Sequence, residues 1–247
     1  MELRTFTGII VNTTNYSESS KILKIYTKEE GVLSVLAKGC RGMKSPLRSV
    51  CNRLVYATFH VSYKEDKLST LMDVDVINPF FHILSDLTCV SLATFLLDLV
   101  NQVVRESDDA RIFTLFMATL TKMEEGLSPY ALSLILQLQL LEYLGVKPLL
   151  DGCASCGSKQ VVTLDSHSGG YLCSNCYTNE RLVSPKTIKI IKMFQEVDVS
   201  KLAKLDVKED ILKEISIFLD DYYDQFTGLY VKSKKFLKEI EKIGGSV

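Results

Sequence analysis

The sequence predicts a mixed α+β protein in which a β module precedes a helical one, and three observations carry this reading. Between Leu3 and Asn78, apolar and polar side chains alternate in short runs broken by turn signals, the period of half-buried strands. After Pro79 the apolar residues recur every three to four positions, the period of helices packed through one face. Two Cys-x-x-Cys pairs, Cys153/Cys156 and Cys173/Cys176, interrupt the helical part with sixteen residues between them. The segments implied are 1–79, 80–150, 151–182 and 183–247.

Five strands are expected in the first segment. Phe6–Thr13, Lys21–Thr27 and Val32–Ala37 are the first three. In the fourth, Val55, Ala57, Phe59, Val61 and Tyr63 alternate with Tyr56, Thr58, His60 and Ser62; in the fifth, Met72, Val74 and Val76 oppose Asp73 and Asp75. Five strands with one apolar face bury their edges best by curling into a small barrel. Farther on, Leu92, Phe95, Leu96, Leu99, Val100 and Val103 fall on one helix face. The run from Pro129 to Leu144 carries Leu or Ile on nearly every side, as a helix surrounded by others does, and Gly145 and Pro148 should end it. Ile211, Ile215, Phe218, Tyr222 and Phe226 mark another amphipathic helix, and Phe236, Leu237, Ile240 and Ile243 a shorter last one. Aromatic residues at these spacings read as core, because a helix in water must bury an apolar face.

A hydrophobic content of 47% and a net charge of −1 over 247 residues fit a globular chain and exclude a disordered one. The charge is unevenly spread: residues 1–80 hold 11 Lys/Arg against 8 Asp/Glu, and residues 81–150 hold 4 against 8. A polyanion responds to the local field of the basic part, so the near-zero total does not exclude nucleic acid. The start, MELRTFTGII, has an acid at position 2 and no signal-peptide core. Asp98, Gln137, Gln139 and Glu142 interrupt the most apolar stretches, which are expected to fall short of a membrane span. Seven cysteines, four of them in close pairs, suit a reducing compartment and a metal site better than a disulfide framework. The reading is a cytoplasmic protein without a membrane partner.

The paired cysteines are the most specific motif. Two intervening residues let both thiolates of a turn face one ion, and the sixteen-residue excursion brings back a second pair to complete a tetrahedron, the pattern of a zinc site with Cys153, Cys156, Cys173 and Cys176 as ligands. Four sulfurs close the coordination sphere, so this zinc is expected to be structural. Cys40, Cys51 and Cys89 read as ordinary buried residues. The stretch KGCRGMKSPLR (38–48) resembles a phosphate loop only superficially. Gly39 and Gly42 are too close together, Met43 precedes Lys44, and Pro46 interrupts the helix that should follow. Its cations, Lys38, Arg41, Lys44 and Arg48, together with Lys21 and Lys24, instead suit an extended phosphate backbone gripped by charge neutralisation. Lys232, Lys234, Lys235, Lys238 and Lys242 form a second basic cluster, interleaved with Glu239 and Glu241, and read first as a solvated face. No catalytic constellation stands out; Asp73 and Asp75 are the nearest to a cation-holding acid pair, the requirement of the rival reading, a divalent-cation-dependent nuclease that uses the barrel to grip its substrate.

The stretches GIIVNTTNYSESSKILKIYTKEEGVLSVLAKGCRGMKSPL (8–47), LLEYLGVKPLLDGCASCG (140–157), GGYLCSNC (169–176) and LYVKSKKFL (229–237) resemble, in order, the signature segments of the RecO recombination and repair proteins. The resemblance implies an N-terminal OB-fold over 1–79, a helical domain over 80–150 and 183–247, and a zinc-ribbon-like insertion over 151–182. It also implies a non-enzymatic mediator of homologous recombination that binds single- and double-stranded DNA and anneals complementary strands without ATP. Its implied partners are RecR and the C-terminal tail of single-strand-binding protein, and it helps load RecA onto coated single strands. The family's basic barrel surface maps onto Lys21, Lys24, Lys38, Arg41, Lys44 and Arg48. With four to five phosphates neutralised, log K for a single strand should fall with log salt at a slope of about −3.

Overall fold

The computed structural model describes residues 2–65, 67–231 and 233. They form two compact units, one of residues up to Asp86 together with Asp108–Thr114, the other of Leu87–Ser107 together with the described residues from Leu115 onward.

The first unit is a five-stranded barrel. Its strands are β1 (Glu2–Asn15), β2 (Lys21–Thr27), β3 (Gly31–Ala37), β4 (Tyr56–Tyr63) and β5 (Ser69–Asn78), closed in the order β1-β2-β3-β5-β4. Each neighbouring pair is antiparallel except β3 and β5, which run parallel through Val35–Ser69 and Leu36–Thr70. The order and the one parallel seam are those of an OB-fold. Phe6, Ile10, Leu23, Ile25, Val35, Ala57, Phe59, Val61 and Leu71 fill the interior. Cys40 and Cys51, from the long β3–β4 connector, join the same core. Gly8 sits where a Cβ would meet the Tyr26 carbonyl at 2.5 Å, so only glycine lets β1 and β2 approach there.

One expectation fails on β5. A register shift between His60 and Val61 pairs Asp73 with His60 but Leu71 with Val61, so Met72 is left as the extra residue of a bulge. Leu71 is buried and Val74 half-buried, whereas Met72 and Val76 are 58% and 43% exposed. The short helix α1 (Phe81–Ser85) follows, with the Phe80 ring stacked on Tyr56 at 6.5 Å. The Phe113 ring meets Tyr26 edge-on at 5.2 Å.

The second unit holds α2 (Leu87–Glu106), most of α3 (Arg111–Glu124), α4 (Pro129–Tyr143), α5 (Pro185–Glu196) and α6 (Glu209–Phe226). Helix α4 is its centre, buried continuously from Ala131 to Leu138 and packed on α2, α5 and α6. An all-round apolar helix needs such a shell of neighbours. Ser128 caps it by accepting from the Ala131 amide, and Pro129 stands in the first turn, where its missing N–H costs nothing. At the other end Gly145, at φ +73°, donates to the Glu142 carbonyl while Val146 donates to Leu141, the paired bonds of a Schellman stop. Tyr223 of α6 reaches in to donate a 2.8 Å bond to the Gln137 carbonyl.

Helix α2 departs from expectation in one respect. Its most apolar 18-residue window has a mean hydropathy of 1.7, so by length and composition it could cross a membrane despite Asp98. Of that window 56% is buried inside the protein, in the manner of a core helix. The final helix expected at Phe236–Ile243, and the lysines at 232, 234, 235, 238 and 242, lie outside the described residues.

Candidate metal centre and nucleic-acid interface

Three short strands, β6 (Leu149–Cys153), β7 (Val161–Asp165) and β8 (Gly170–Cys173), form a sheet in the order β6-β8-β7 between α4 and α5 in sequence. It begins at Leu149, two residues before the expected boundary. Gly170 lies against β6 so closely that a Cβ would stand 2.2 Å from the Leu149 carbonyl oxygen. The sheet is anchored to α5: the Tyr171 hydroxyl donates to the Ile188 carbonyl, Gln195 to the Pro148 carbonyl at 3.0 Å, and Lys192 pairs with Asp151.

At the end of this sheet the sulfurs of Cys153, Cys156, Cys173 and Cys176 all lie within 4.8 Å of one another. A tetrahedral ion with sulfur ligands at about 2.3 Å holds them about 3.8 Å apart, so the set fits a thiophilic ion. Two matching turns aim the sulfurs inward. The Gly157 amide donates to the Cys153 carbonyl at 2.8 Å, and the Cys176 and Tyr177 amides donate to the Cys173 carbonyl at 3.1 and 2.9 Å. Gly157 completes the first turn at φ +76°. Burial alone would raise the Cys153 thiol, but the amides of Cys173, Cys156 and Ser155 outweigh it and bring it down to about 6. Cys176, facing the sulfurs of Cys156, Cys173 and Cys153, is pushed up to about 12. Crowded sulfurs that share protons in this way are what a cation relieves.

The six cations expected to hold nucleic acid all belong to the barrel, and the structure divides them. Lys38, Lys44 and Arg48 are exposed on the β3–β4 connector, Lys24 projects half-exposed from β2, and none of these charged groups meets an acceptor among the described residues. Lys21 is engaged: its Nζ donates to the Cys51 carbonyl at 3.0 Å and to Asn52 Oδ1 at 3.2 Å. Arg41 is engaged too, donating from Nη1 to the Ser17 carbonyl at 2.7 Å and from its backbone amide to the Ser19 carbonyl at 2.9 Å.

Two cations that the sequence reading passed over join them. Lys64 and Lys67, both exposed, sit on the β4–β5 loop, which leads into β5 beside β3. In a barrel of this order the β2–β3 face, flanked by the β1–β2 and β4–β5 loops, is where oligonucleotides bind. A basic pair between the fourth and fifth strands was the signal available for them. The acids Glu18 and Glu65 stand on the same two loops.

Asp73 and Asp75 have different partners: Asp75 Oδ2 is hydrogen-bonded to His60 Nε2 at 2.8 Å, and Asp73 accepts from the Val74 amide at 2.9 Å. Among the described residues the four cysteines are the grouping that could hold a metal ion.

Residues 1–80 match the family model described as Recombination protein O N terminal, and residues 84–235 match Recombination protein O C terminal. The chain belongs to the RecO family. Proteins named DNA repair protein RecO from Bacillus pumilus (strain SAFR-032) and Bacillus cereus (strain AH187) are each 31% identical to it. The alignments span 241 and 240 residues, covering 96% and 95% of this chain and 94% and 96% of the relatives. The N-terminal RecO model ends where the barrel does, and the C-terminal one takes in the helices and the four-cysteine sheet together. RecO membership places the chain in DNA repair and recombination.

Proposed function

We propose that the chain is a mediator of homologous recombination that binds single- and double-stranded DNA on its barrel, anneals complementary strands without ATP, and, with RecR, helps load RecA onto strands coated by single-strand-binding protein. The observation that supports this best is the set of exposed or half-exposed cations that meet no acceptor among the described residues, on the connector, β2 and the β4–β5 loop: Lys38, Lys44, Arg48, Lys24, Lys64 and Lys67. Two complementary strands repel through their phosphates, and a surface that neutralises phosphates lowers this repulsion without occupying base edges. Base pairing then supplies the drive, so no nucleotide fuel is required. Replacing Lys21 and Arg41 by Lys64 and Lys67 in the count gives six neutralised phosphates, and the slope of log K against log salt for a single strand becomes about −4.

The metal in this reading is one structural zinc, held by Cys153, Cys156, Cys173 and Cys176, which supplies folding energy to the sheet. The helical unit offers the dock for the acidic, apolar-ended tail of single-strand-binding protein, and the protein works in the cytoplasm on the nucleoid. The deciding experiment mixes complementary labelled oligonucleotides, bare and coated with single-strand-binding protein, with the metal-replete protein and no ATP. Accelerated pairing is expected, and it should vanish when Lys38, Lys44 and Arg48 are reversed to Glu with helix content unchanged. Pairing that persists in the reversed variant, or cutting of the labelled strands when magnesium is added, would overturn the reading.

A further inference from the structure

The six cations of the original set do different jobs, and the hydrogen bonds separate them. The β3–β4 connector leaves β3 through Gly39, whose amide donates to Ser20 Oγ at 3.3 Å; Arg41 then spans to the β1–β2 loop through its bonds to Ser17 and Ser19. At its far end the connector is held by Lys21, the first residue of β2, through Cys51 and Asn52. Asn52 in turn donates to the Arg48 and Ser49 carbonyls at 3.3 and 3.0 Å, which fixes the turn carrying Arg48. Both ends of the connector are thus tied to one short stretch, residues 17–21.

We infer that Arg41 and Lys21 are positioning residues that lock the β1–β2 loop and the β3–β4 connector into one platform, so that Lys38, Lys44 and Arg48 face a strand at fixed spacing. This deepens the DNA-binding reading and rests on it for its purpose, although the lock itself is a property of the free protein. A cation that is held against the protein's own oxygens and meets no phosphate keeps its charge but neutralises no phosphate. Its removal therefore alters affinity through loop order and leaves the salt slope in place. A cation that meets a phosphate contributes about 0.7 to the slope on a single strand.

The test compares Arg41→Gln with Lys44→Gln, each by fluorescence anisotropy on a labelled oligothymidine across a salt series and by amide hydrogen exchange without DNA. For Arg41→Gln the expected result is binding weaker by about five-fold, the net worth of one hydrogen bond, with an unchanged slope and faster exchange across Ser17–Ser20. For Lys44→Gln the slope should flatten by about 0.7 with exchange unaltered. Lys21→Met serves as a second lock variant, with faster exchange expected at Cys51–Leu54; if it fails to fold, Arg41→Gln carries the test alone. Flattening by about 0.7 in Arg41→Gln would overturn the inference, since it would make Arg41 a phosphate contact. Unaltered exchange at Ser17–Ser20 would overturn it equally. If the parent protein shows no salt-dependent binding, the DNA reading fails, and the exchange data still judge the lock by themselves.

Discussion

Neutralising three exposed cations at once gives the sharpest test of the interface. In Lys38→Gln/Lys44→Gln/Arg48→Gln, no charged group lost has an acceptor among the described residues, so the barrel should fold with its stability intact. Six phosphate contacts at about 0.7 each give the parent a slope of about −4.2 on a single strand, and removal of three leaves about −2.1. Raising salt from about 50 to 200 mM, a change of 0.6 in the logarithm, should then weaken the parent about 300-fold but the variant only about 20-fold. Anisotropy of a labelled oligothymidine at four or five salt concentrations measures both lines. The triple variant should also bind more weakly at every salt tested, with the two lines converging as salt rises. Parallel lines would refute the reasoning, because the connector would then contribute no neutralised phosphate.

Further expectations concern the second unit. Chelation of the metal, or Cys176→Ala, should release the amides of β6–β8 to exchange within seconds to minutes while α4 stays protected. Around the ligands the described cluster comprises Cys153, Leu172 and Cys173 with Val161 and Cys176 against it, a small core in which the surroundings of the four sulfurs depend on the ion. Elemental analysis should find one zinc per chain, and protection that survives in metal-free protein would remove the structural role. Tyr223→Phe should cost about 1 kcal/mol, the net value of its buried bond to Gln137, and lower the melting temperature by about 2–4 °C. An unchanged melting temperature would show that the Gln137 carbonyl loses nothing.

The strands and the central helix were legible because their signals are local. Alternation over Val55–Tyr63 depends on neighbouring side chains alone, and the stop after α4 is written in Gly145, which can adopt a positive φ without strain. The β5 face was misread because a bulge is a property of two strands: nothing in Met72–Val76 indicates that β4 would shift register at His60. The expectations omit helices α3 and α5, although local signals mark both: Ile112, Phe116, Leu120 and Met123 recur at helical spacing and Gly126, at φ +87°, stops α3, while Ser184 and Pro185 start α5 as Ser128 and Pro129 start α4.

The metal ligands could be named from spacing because two turns and one excursion determine the cluster. The cations could not be sorted in this way. Whether a lysine is available to a phosphate or tied to a carbonyl depends on loops thirty residues apart, as with Lys21 and Cys51, and no sequence pattern carries that information. Lys64 and Lys67 were overlooked for the complementary reason: they belong with the β2–β3 face only once the parallel seam between β3 and β5 brings their loop alongside.

Tyr16 tests how the bases are treated once the phosphates are held. It is 60% exposed in the β1–β2 loop, one residue before the carbonyl that Arg41 grips. Among the described residues of the barrel unit the other strongly exposed aromatic is Phe81, on α1. Binders that immobilise single strands line their grooves with several aromatic platforms, each worth about 1–3 kcal/mol per stacked base. A barrel with one loop tyrosine beside Lys24, Lys38, Lys44, Arg48, Lys64 and Lys67, whose charged groups meet no acceptor among the described residues, would hold a strand mainly by its backbone and leave most base edges open, the condition under which a second strand can pair. Tyr16→Ala should therefore weaken single-strand binding by about ten-fold at constant salt slope, with annealing retained at protein concentrations that restore saturation. If Tyr16→Ala flattens the slope, the loop is gripping phosphate rather than base. If it abolishes annealing at saturation, the bases need presentation by the protein, and charge neutralisation alone does not explain pairing.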